Sequence, residues 1–253
     1  MNFVASLFLR NLVADAKSIK LTAIRLVLQP AIYLFVFGYV VGGMLPAQNG
    51  GSYAEVMAPG IIAISILTGP FVTVAGSILS GYYFRTMEGW LLAPVTLRTL
   101  MLAQVFGGVF YGLASGTIVA LLIWLILGIA PQSLLVPYVI GAAGALFFSL
   151  LSIVILLLPE TPDKGQELFS FLLMPMTFFG CTFYSYSMLA PPFSYIALLL
   201  PTTYLSEGLR AAYNPSIAHM DITYVSVGLA ATAAALFPLA DWVFRRRFRD
   251  FLW

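Results

Sequence analysis

The sequence predicts an all-α polytopic membrane protein. Of its 253 residues, 61% are apolar and only 9% are charged, whereas soluble domains carry about a quarter charged residues. Several apolar runs reach the length of about 20 residues that a membrane-spanning helix needs. The runs are continuous rather than alternating, and only helices or closed barrels can span a bilayer. The spans are therefore predicted to be helices.

Six transmembrane helices are predicted within a single domain that covers residues 1–253. Short polar turns and Gly- or Pro-rich stretches separate the apolar runs. Pro59 and Pro70 predict kinks in the second span, and Pro175 predicts a bend in the fifth. The predicted spans are 22–44, 53–82, 99–129, 135–158, 167–184 and 222–244.

Residues 1–21 predict an amphipathic interfacial helix that lies along the membrane before the first span. Such a helix has one apolar and one polar, basic face. Asp15 falls near the apolar face, so an ordinary polar lead-in to the first span is the alternative. The apolar face consists of Val4, Phe8, Leu12, Ala16 and Ile19, with Ser6, Arg10, Lys17 and Lys20 opposite.

The stretch 185–221, between the fifth and sixth spans, contains apolar pieces that are too short to cross a bilayer. They include Ala190-Pro191-Pro192 and the run 196–201. Short re-entrant or interfacial helices are predicted here.

The basic residues predict that both termini lie in the cytoplasm, because cytoplasmic loops carry an excess of Lys and Arg. Of the 12 Lys and Arg residues, all except Arg210 fall on one side of the predicted topology. Segment 85–98 is then cytoplasmic and segment 185–221 lies outside. Since the basic residues lie where topology needs them, they give no indication of nucleic-acid binding. The cytoplasmic set is Arg10, Lys17, Lys20, Arg25, Arg85, Arg98, Lys164, Arg245, Arg246, Arg247 and Arg249.

No catalytic, metal or nucleotide site is predicted. Coupling sites of ion-driven carriers use ionisable groups or broken helices near the midplane, and no acid falls clearly there. Glu55 and Asp241 lie near span ends. Cys181 is the single cysteine and His219 the single histidine, which argues against a transition-metal centre. The sequence lacks G-x-x-x-x-G-K-[ST], so an ATPase that drove transport would be a separate chain.

Segment 85–98, RTMEGWLLAPVTLR, lies between two long apolar runs. A loop that only reversed the chain would not need an acid, an aromatic residue, a Leu pair and a helix stop together. We therefore predict a docking element through which another protein moves the membrane helices. A surface turn with a Trp at the headgroup level, where Trp is common, is the alternative. The predicted contact residues are Glu88, Gly89, Trp90, Leu91, Leu92 and Pro94.

Small residues recur at helical spacing on the second and third spans, where they allow close backbone approach. Packing within one subunit is favoured over a subunit interface. The ridges are Gly69, Thr73, Ser77 and Gly81 on the second span, and Gly108, Gly112 and Gly116 on the third.

Three stretches occur in a specific order along the chain. They are YAEVMAPG at 53–60, EGWLLAPV at 88–95, and MPMTFFGCTFY at 174–184 followed by LPTTY at 200–204 and GLR at 208–210. Together with six spans, this ordered set resembles the permease subunits of ABC-2 type exporters. That family includes Nod-factor and daunorubicin export permeases and O-antigen polysaccharide permeases. The overall pattern is more similar to the Nod-factor and drug-export branch.

The resemblance implies a transport subunit of the bacterial inner (plasma) membrane and not an enzyme. Family members work as two permease subunits, here expected to be identical, with two cytoplasmic ABC ATPases. ATP and Mg²⁺ would be bound by the ATPase, and this chain would bind no cofactor. The implied substrate is amphipathic, of lipid or saccharide type, or a hydrophobic drug. A secondary carrier or channel, or a membrane anchoring factor without ATP coupling, is the alternative.

The resemblance also assigns roles to residues. Glu88 would pair with a basic group of the ATPase, while Trp90 and Leu91 would fill its cleft. The N-terminal helix would contact the ATPase as well. Spans one and five would line the path between the two permeases, although packing or lipid-facing roles for their aromatic residues are equally open. The candidate path residues are Phe178, Phe179, Phe183 and Tyr184.

Overall fold

The computed structural model of the chain describes residues 28, 30–44, 52–85, 89 and 95–250. All regular structure within these ranges is helical, as predicted. The interfacial helix predicted at 1–21 lies outside them. In chain order the helices are α1 (Pro30–Val41), α2 (Tyr53–Tyr83), α3 (Leu97–Leu127), α4 (Leu135–Leu157), α5 (Pro162–Phe179), α6 (Phe193–Leu199), α7 (Pro201–Tyr213) and α8 (Ile222–Asp250).

Four of the described helices, α2, α3, α4 and α8, are long and apolar enough to cross a membrane. Helix α1 is apolar but shorter, and its turns from Leu34 to Val41 are of the wider π type. Helix α5 has 18 residues and carries Asp163, Lys164 and Glu167 in its first half, which lowers its hydropathy. Because α1 and α5 coincide only with parts of spans one and five, the six-span topology stays a prediction.

Helix α2 lies at the centre of the bundle. It is buried over most of its length and packs against α3, α4 and α7, with α1 and α5 also in contact. Pro59 and Pro70 lie inside this helix without ending it, as is common where neighbouring helices compensate for the lost hydrogen bonds. Helix α8 is far more exposed and packs mainly on α4 and α7.

The small-residue ridges of α2 and α3 face each other within this chain. A methyl group built on Gly69 would lie 3.0 Å from the Cα atom of Gly112, and one built on Gly112 would lie 2.9 Å from Cγ of Pro70. Gly108 faces α4, where its added methyl group would lie 2.5 Å from the Ser149 hydroxyl. The proline that interrupts the hydrogen bonding of α2 therefore fits into the glycine ridge of α3.

The fifth span is predicted at 167–184, which is wrong at both ends. Helix α5 begins at Pro162 and ends at Phe179. Proline is favoured at the first helical position, because its missing N–H group would have no partner there. Just after the helix, Cys181 adopts a φ of 54°, which an α-helix cannot continue.

The sixth span is predicted at 222–244, but α8 continues through the arginine-rich stretch to Asp250. Arginine is a good helix former. Asp241 also pairs with Arg245 one turn further along, with 2.5 Å between Oδ2 and Nη2, which supports the helix at this point.

Segment 185–221 contains short helices, namely a 3₁₀ turn at Tyr186–Met188 followed by α6 and α7. Nearly all side chains of α7 are buried, and this helix packs against α2, α4 and α8. Helix α6 instead exposes Tyr195 and Leu199. Short helices are therefore present as predicted, and their re-entrant position in a membrane stays a prediction.

Candidate functional site

Segment 85–98 begins and ends at one end of the helix bundle. Arg85 follows α2 with a positive φ of 52°. Thr96 caps α3, since its hydroxyl accepts a hydrogen bond from the backbone N–H of Thr99 at 3.3 Å. Gly89 is exposed. The other five predicted contact residues, Glu88, Trp90, Leu91, Leu92 and Pro94, lie outside the described residues.

Polar contacts connect the residues on both sides of this segment to neighbouring helices. Arg98, in the first turn of α3, has Nε 3.3 Å from Oδ2 of Asp241 on α8, and Arg245 donates to both oxygens of the same carboxylate. The hydroxyl of Tyr83, at the end of α2, donates to Asp163 of α5 at 2.6 Å. The start of α3 is thus tied to α8, and the end of α2 is tied to α5.

The loop between α4 and α5 and the first turn of α5 add exposed charges at this end. Lys164 Nζ lies 2.6 Å from Glu160 Oε2, and this hydrogen bond, together with the ammonium charge, holds the pKa of Glu160 below its usual range. Arg247 donates from Nη2 to the Pro159 carbonyl at 2.7 Å. Exposed ion pairs of this kind contribute little to stability.

At the opposite end of the bundle, α7 carries a fully buried ion pair between Glu207 and Arg210. Arg210 Nε donates to the Val56 carbonyl of α2 at 2.9 Å. Its Nη2 donates to the carbonyls of Cys181 at 2.9 Å and Tyr184 at 3.2 Å. One guanidinium therefore joins α7 to the start of α2 and to the turn after α5.

The carboxylate of Glu207 is also fully engaged. Its Oε1 accepts the backbone N–H of Tyr186 at 2.8 Å, and its Oε2 accepts the backbone N–H of His219 at 3.2 Å. Close by, Asn214 donates to Oε2 of Glu55 at 3.1 Å. These contacts fix the segments on either side of α7 against the helix itself.

Sequence reasoning assigns Arg210 to an external loop and gives Glu207 no role. The spacing of Glu207 and Arg210 in the sequence could have indicated the ion pair, because residues three apart on a helix share a face. Charged side chains are also rarely buried unless they are paired. Glu207 and Arg210 have this spacing, so a paired acid and base was the physically consistent interpretation.

Three of the four candidate path residues contact one another, since the ring centroids of Phe178 and Phe183 lie 5.7 Å apart and Tyr184 forms a hydrogen bond with Phe178. Phe178 and Phe179, in the last turn of α5, are 50% and 38% exposed. Phe183 is buried, with its ring centroid 4.6 Å from that of Phe37 on α1. The half-buried Tyr184 donates its hydroxyl to the Phe178 carbonyl at 2.6 Å. Phe183 therefore packs α1 against the turn after α5, and Phe178 is the most accessible of the four.

Two further aromatic side chains, not singled out from the sequence, stand on α1. Phe35 and Tyr39 are both exposed, and their rings are stacked with centroids 6.0 Å apart and planes at 13°. Both lie in the π-type turns of α1.

A bundle of long apolar helices, with a charged interhelical segment at one end and short helices, of which α7 is buried, at the other, defines a polytopic membrane protein. The family model described as ABC-2 type transporter matches residues 4–214. The chain belongs to the ABC-2 type transporter family.

The chain is similar to curated proteins over most of its length. It is 28% identical over 187 residues to the inner membrane transport permease YadH of Escherichia coli K12, covering 74% of this chain and 73% of that protein. It is 26% identical over 213 residues to nodulation protein J of Neorhizobium galegae, covering 84% and 81%. With nodulation protein J of Sinorhizobium fredii NGR234 the identity is 28% over 210 residues, covering 80% and 78%.

Proposed function

We propose that this chain is the transmembrane permease subunit of an ABC exporter in the bacterial inner membrane. A separate ATPase would supply the energy by hydrolysing ATP. The observation that carries this proposal is the family match over 4–214, which includes both segment 85–98 and the network around Arg210. The name of the Escherichia coli relative, an inner membrane transport permease, supports the location.

The proposed topology has six spans, with α1 and α5 belonging to the first and fifth, and both termini in the cytoplasm. The contacts of Arg98, Lys164 and Arg247 at one end of the bundle support it, because they show basic residues at the ends of three different helices on one side. Helices α6 and α7 would then lie at the outer end, near the exit.

Segment 85–98 is proposed to dock into a cleft of the ATPase, with Glu88, Gly89, Trp90, Leu91, Leu92 and Pro94 as contacts. The tie between Arg98 and Asp241 supports a mechanical role, since a displacement of the segment would reach both α3 and α8. The interfacial helix at 1–21 would form a second contact with the same ATPase.

The working transporter is proposed to contain two ATPases and two permease subunits, the second being another copy of this chain. ATP and Mg²⁺ would lie on the ATPases. The substrate is proposed to be amphipathic, either a lipid- or saccharide-type molecule or a hydrophobic drug. The exposed rings of Phe35, Tyr39 and Phe178 support this class, since aromatic faces bind both apolar groups and sugar rings.

The test is co-expression of the tagged chain with the ABC ATPase encoded nearest to it. Glu88→Ala combined with Trp90→Ala removes two predicted anchors, and hot-spot side chains at interfaces contribute about 2 kcal/mol or more each. We expect ATPase retention on the purified permease to fall by more than about tenfold. Unchanged retention and unchanged ATP hydrolysis would rule out docking through these residues.

The matched control is Gln132→Ala combined with Ser133→Ala, two exposed positions in the loop between α3 and α4. This pair lies at the opposite end of the bundle and should leave ATPase retention unchanged. A chain that retains no ABC ATPase in any variant, while still transporting in response to an ion gradient, would favour a secondary carrier instead.

A further inference from the structure

An apolar pocket of about 250 Å³ lies between α2, α3, α4 and α7. Its inner wall is formed by buried side chains, Ile62 and Ile66 of α2 and Leu209 and Tyr213 of α7. Gly116, the last glycine of the α3 ridge, also lines it, and a methyl group there would lie 2.7 Å from Cγ1 of Ile66. The space is thus bounded by well-packed helices.

The mouth of the pocket is framed by exposed apolar side chains. Leu121 and Trp124 stand on α3, and Leu134 and Tyr138 stand at the start of α4. Both helices are long and apolar enough to cross a membrane, so in the proposed topology the side chains exposed on their outer faces would meet the hydrocarbon of the bilayer. The mouth would then open sideways into lipid.

The polar groups in the pocket wall are already engaged with each other. The Thr117 hydroxyl donates to the Leu113 carbonyl at 2.7 Å, so the 3.1 Å hydrogen bond between the Thr117 and Tyr138 hydroxyls uses the Tyr138 proton. No charged side chain is among the described residues that line the pocket. Apolar cavities of comparable size stay dry and bind apolar molecules.

We propose that this pocket binds one acyl chain of a bilayer lipid, which inserts sideways between α3 and α4. The pocket continues the lipid-facing surface of these two helices, so acyl chains are the apolar molecules that surround its mouth. No described residue of α1 or α5, the helices assigned to the export path, lines it. The site is therefore assigned to a resident lipid rather than to the exported molecule, and this distinction rests on the proposed export path, whereas binding of an acyl chain does not.

The test uses the purified full chain in vesicles of phosphatidylethanolamine and phosphatidylglycerol that contain a phosphatidylcholine with a diazirine in one acyl chain. After irradiation, mass spectrometry locates the cross-linked residues. Leu209 and Tyr213 are diagnostic because they are buried, so only a chain inside the pocket reaches them. We expect cross-links at both, in addition to those at exposed positions such as Leu125.

Two variants sharpen the test. Ala120→Phe places a ring in the pocket from α3 and should abolish cross-links at Leu209 and Tyr213 while leaving Leu125 labelled. Ala231→Phe adds the same ring at an exposed position of α8 and should change nothing. The proposal is overturned if the unaltered chain is labelled only at exposed residues, or if labelling of Leu209 and Tyr213 persists in Ala120→Phe.

Discussion

Arg210 shares its guanidinium among a carboxylate and three backbone carbonyls while being fully buried. The carbonyls belong to Val56 at the start of α2 and to Cys181 and Tyr184 in the turn after α5. A lysine could not replace it, because an ammonium group lacks the planar fork of donors that reaches several acceptors at once. This side chain therefore fixes the relative positions of α2, α7 and the turn after α5.

Arg210→Met is expected to destabilise the protein by about 3–5 kcal/mol, since it leaves the Glu207 charge buried without its partner. Thermal unfolding of the purified protein in detergent, followed by size-exclusion chromatography, measures the loss. Adding Glu207→Leu to Arg210→Met should recover part of it, because the lone charge is removed.

Lys164→Met is the matched control for this prediction. It breaks an ion pair with Glu160 whose side chains are 60% and 84% exposed, so the stability of the protein should change little. Equal stability of the Arg210→Met and Lys164→Met proteins would show that the buried pair contributes no more than a surface one.

The helices that the sequence predicts best are those with uniform apolar runs. The ends of α2, α3 and α4 fall within one turn of their predicted positions, because polar turns on both sides leave little choice. Helix α5 is shifted because Pro162 and Cys181, rather than hydropathy, determine its ends. The burial of the Glu207 and Phe183 side chains was less predictable, since the segments that enclose them are distant in the sequence.

The glycine ridge of α3 offers a test at the level of one helix. Gly112→Ile is expected to force α3 away from α2 and α4, because the added Cβ alone would lie 2.9 Å from Pro70 and 3.1 Å from Ala145. Overpacking of this kind costs about 1–3 kcal/mol or more. The unfolding temperature in detergent and the yield of folded protein report the effect.

Gly107→Ile provides the control on the same helix, since a Cβ atom at Gly107 would meet nothing within 4 Å. The two variants add the same side chain to neighbouring turns of α3. If the Gly107→Ile protein loses as much stability as the Gly112→Ile protein, the ridge is not the cause of the close α2–α3 packing.

For the whole molecule, cysteine labelling can test which side of the membrane each end of the helix bundle faces. In a Cys181→Ala background, single cysteines replace Gly89, Lys164 or Ser133. An impermeant maleimide added to intact cells is expected to label only the Ser133→Cys protein, because 85–98 and the α4–α5 loop are predicted to be cytoplasmic. Permeabilised cells should show labelling of all three.

The opposite result, with Gly89→Cys and Lys164→Cys labelled from outside, would invert the topology. If only one of those two positions were labelled from outside, the chain between them would cross the membrane an odd number of times, and one of the two predicted spans between them would be wrong. Either outcome would leave the contacts within the helix bundle unchanged. It would alter only the orientation of the bundle in the membrane or the number of spans.

The close backbone contacts at two glycines limit which positions of this protein can change during evolution. A methyl group on Gly60 would overlap the Thr182 carbonyl oxygen, and one on Gly165 would lie 2.7 Å from the Cα atom of Leu156. These collisions involve the backbone, so they arise whatever molecule the protein carries. Lineages that acquire a new cargo are expected to keep glycine here and to vary the exposed rings of Phe35 and Tyr39.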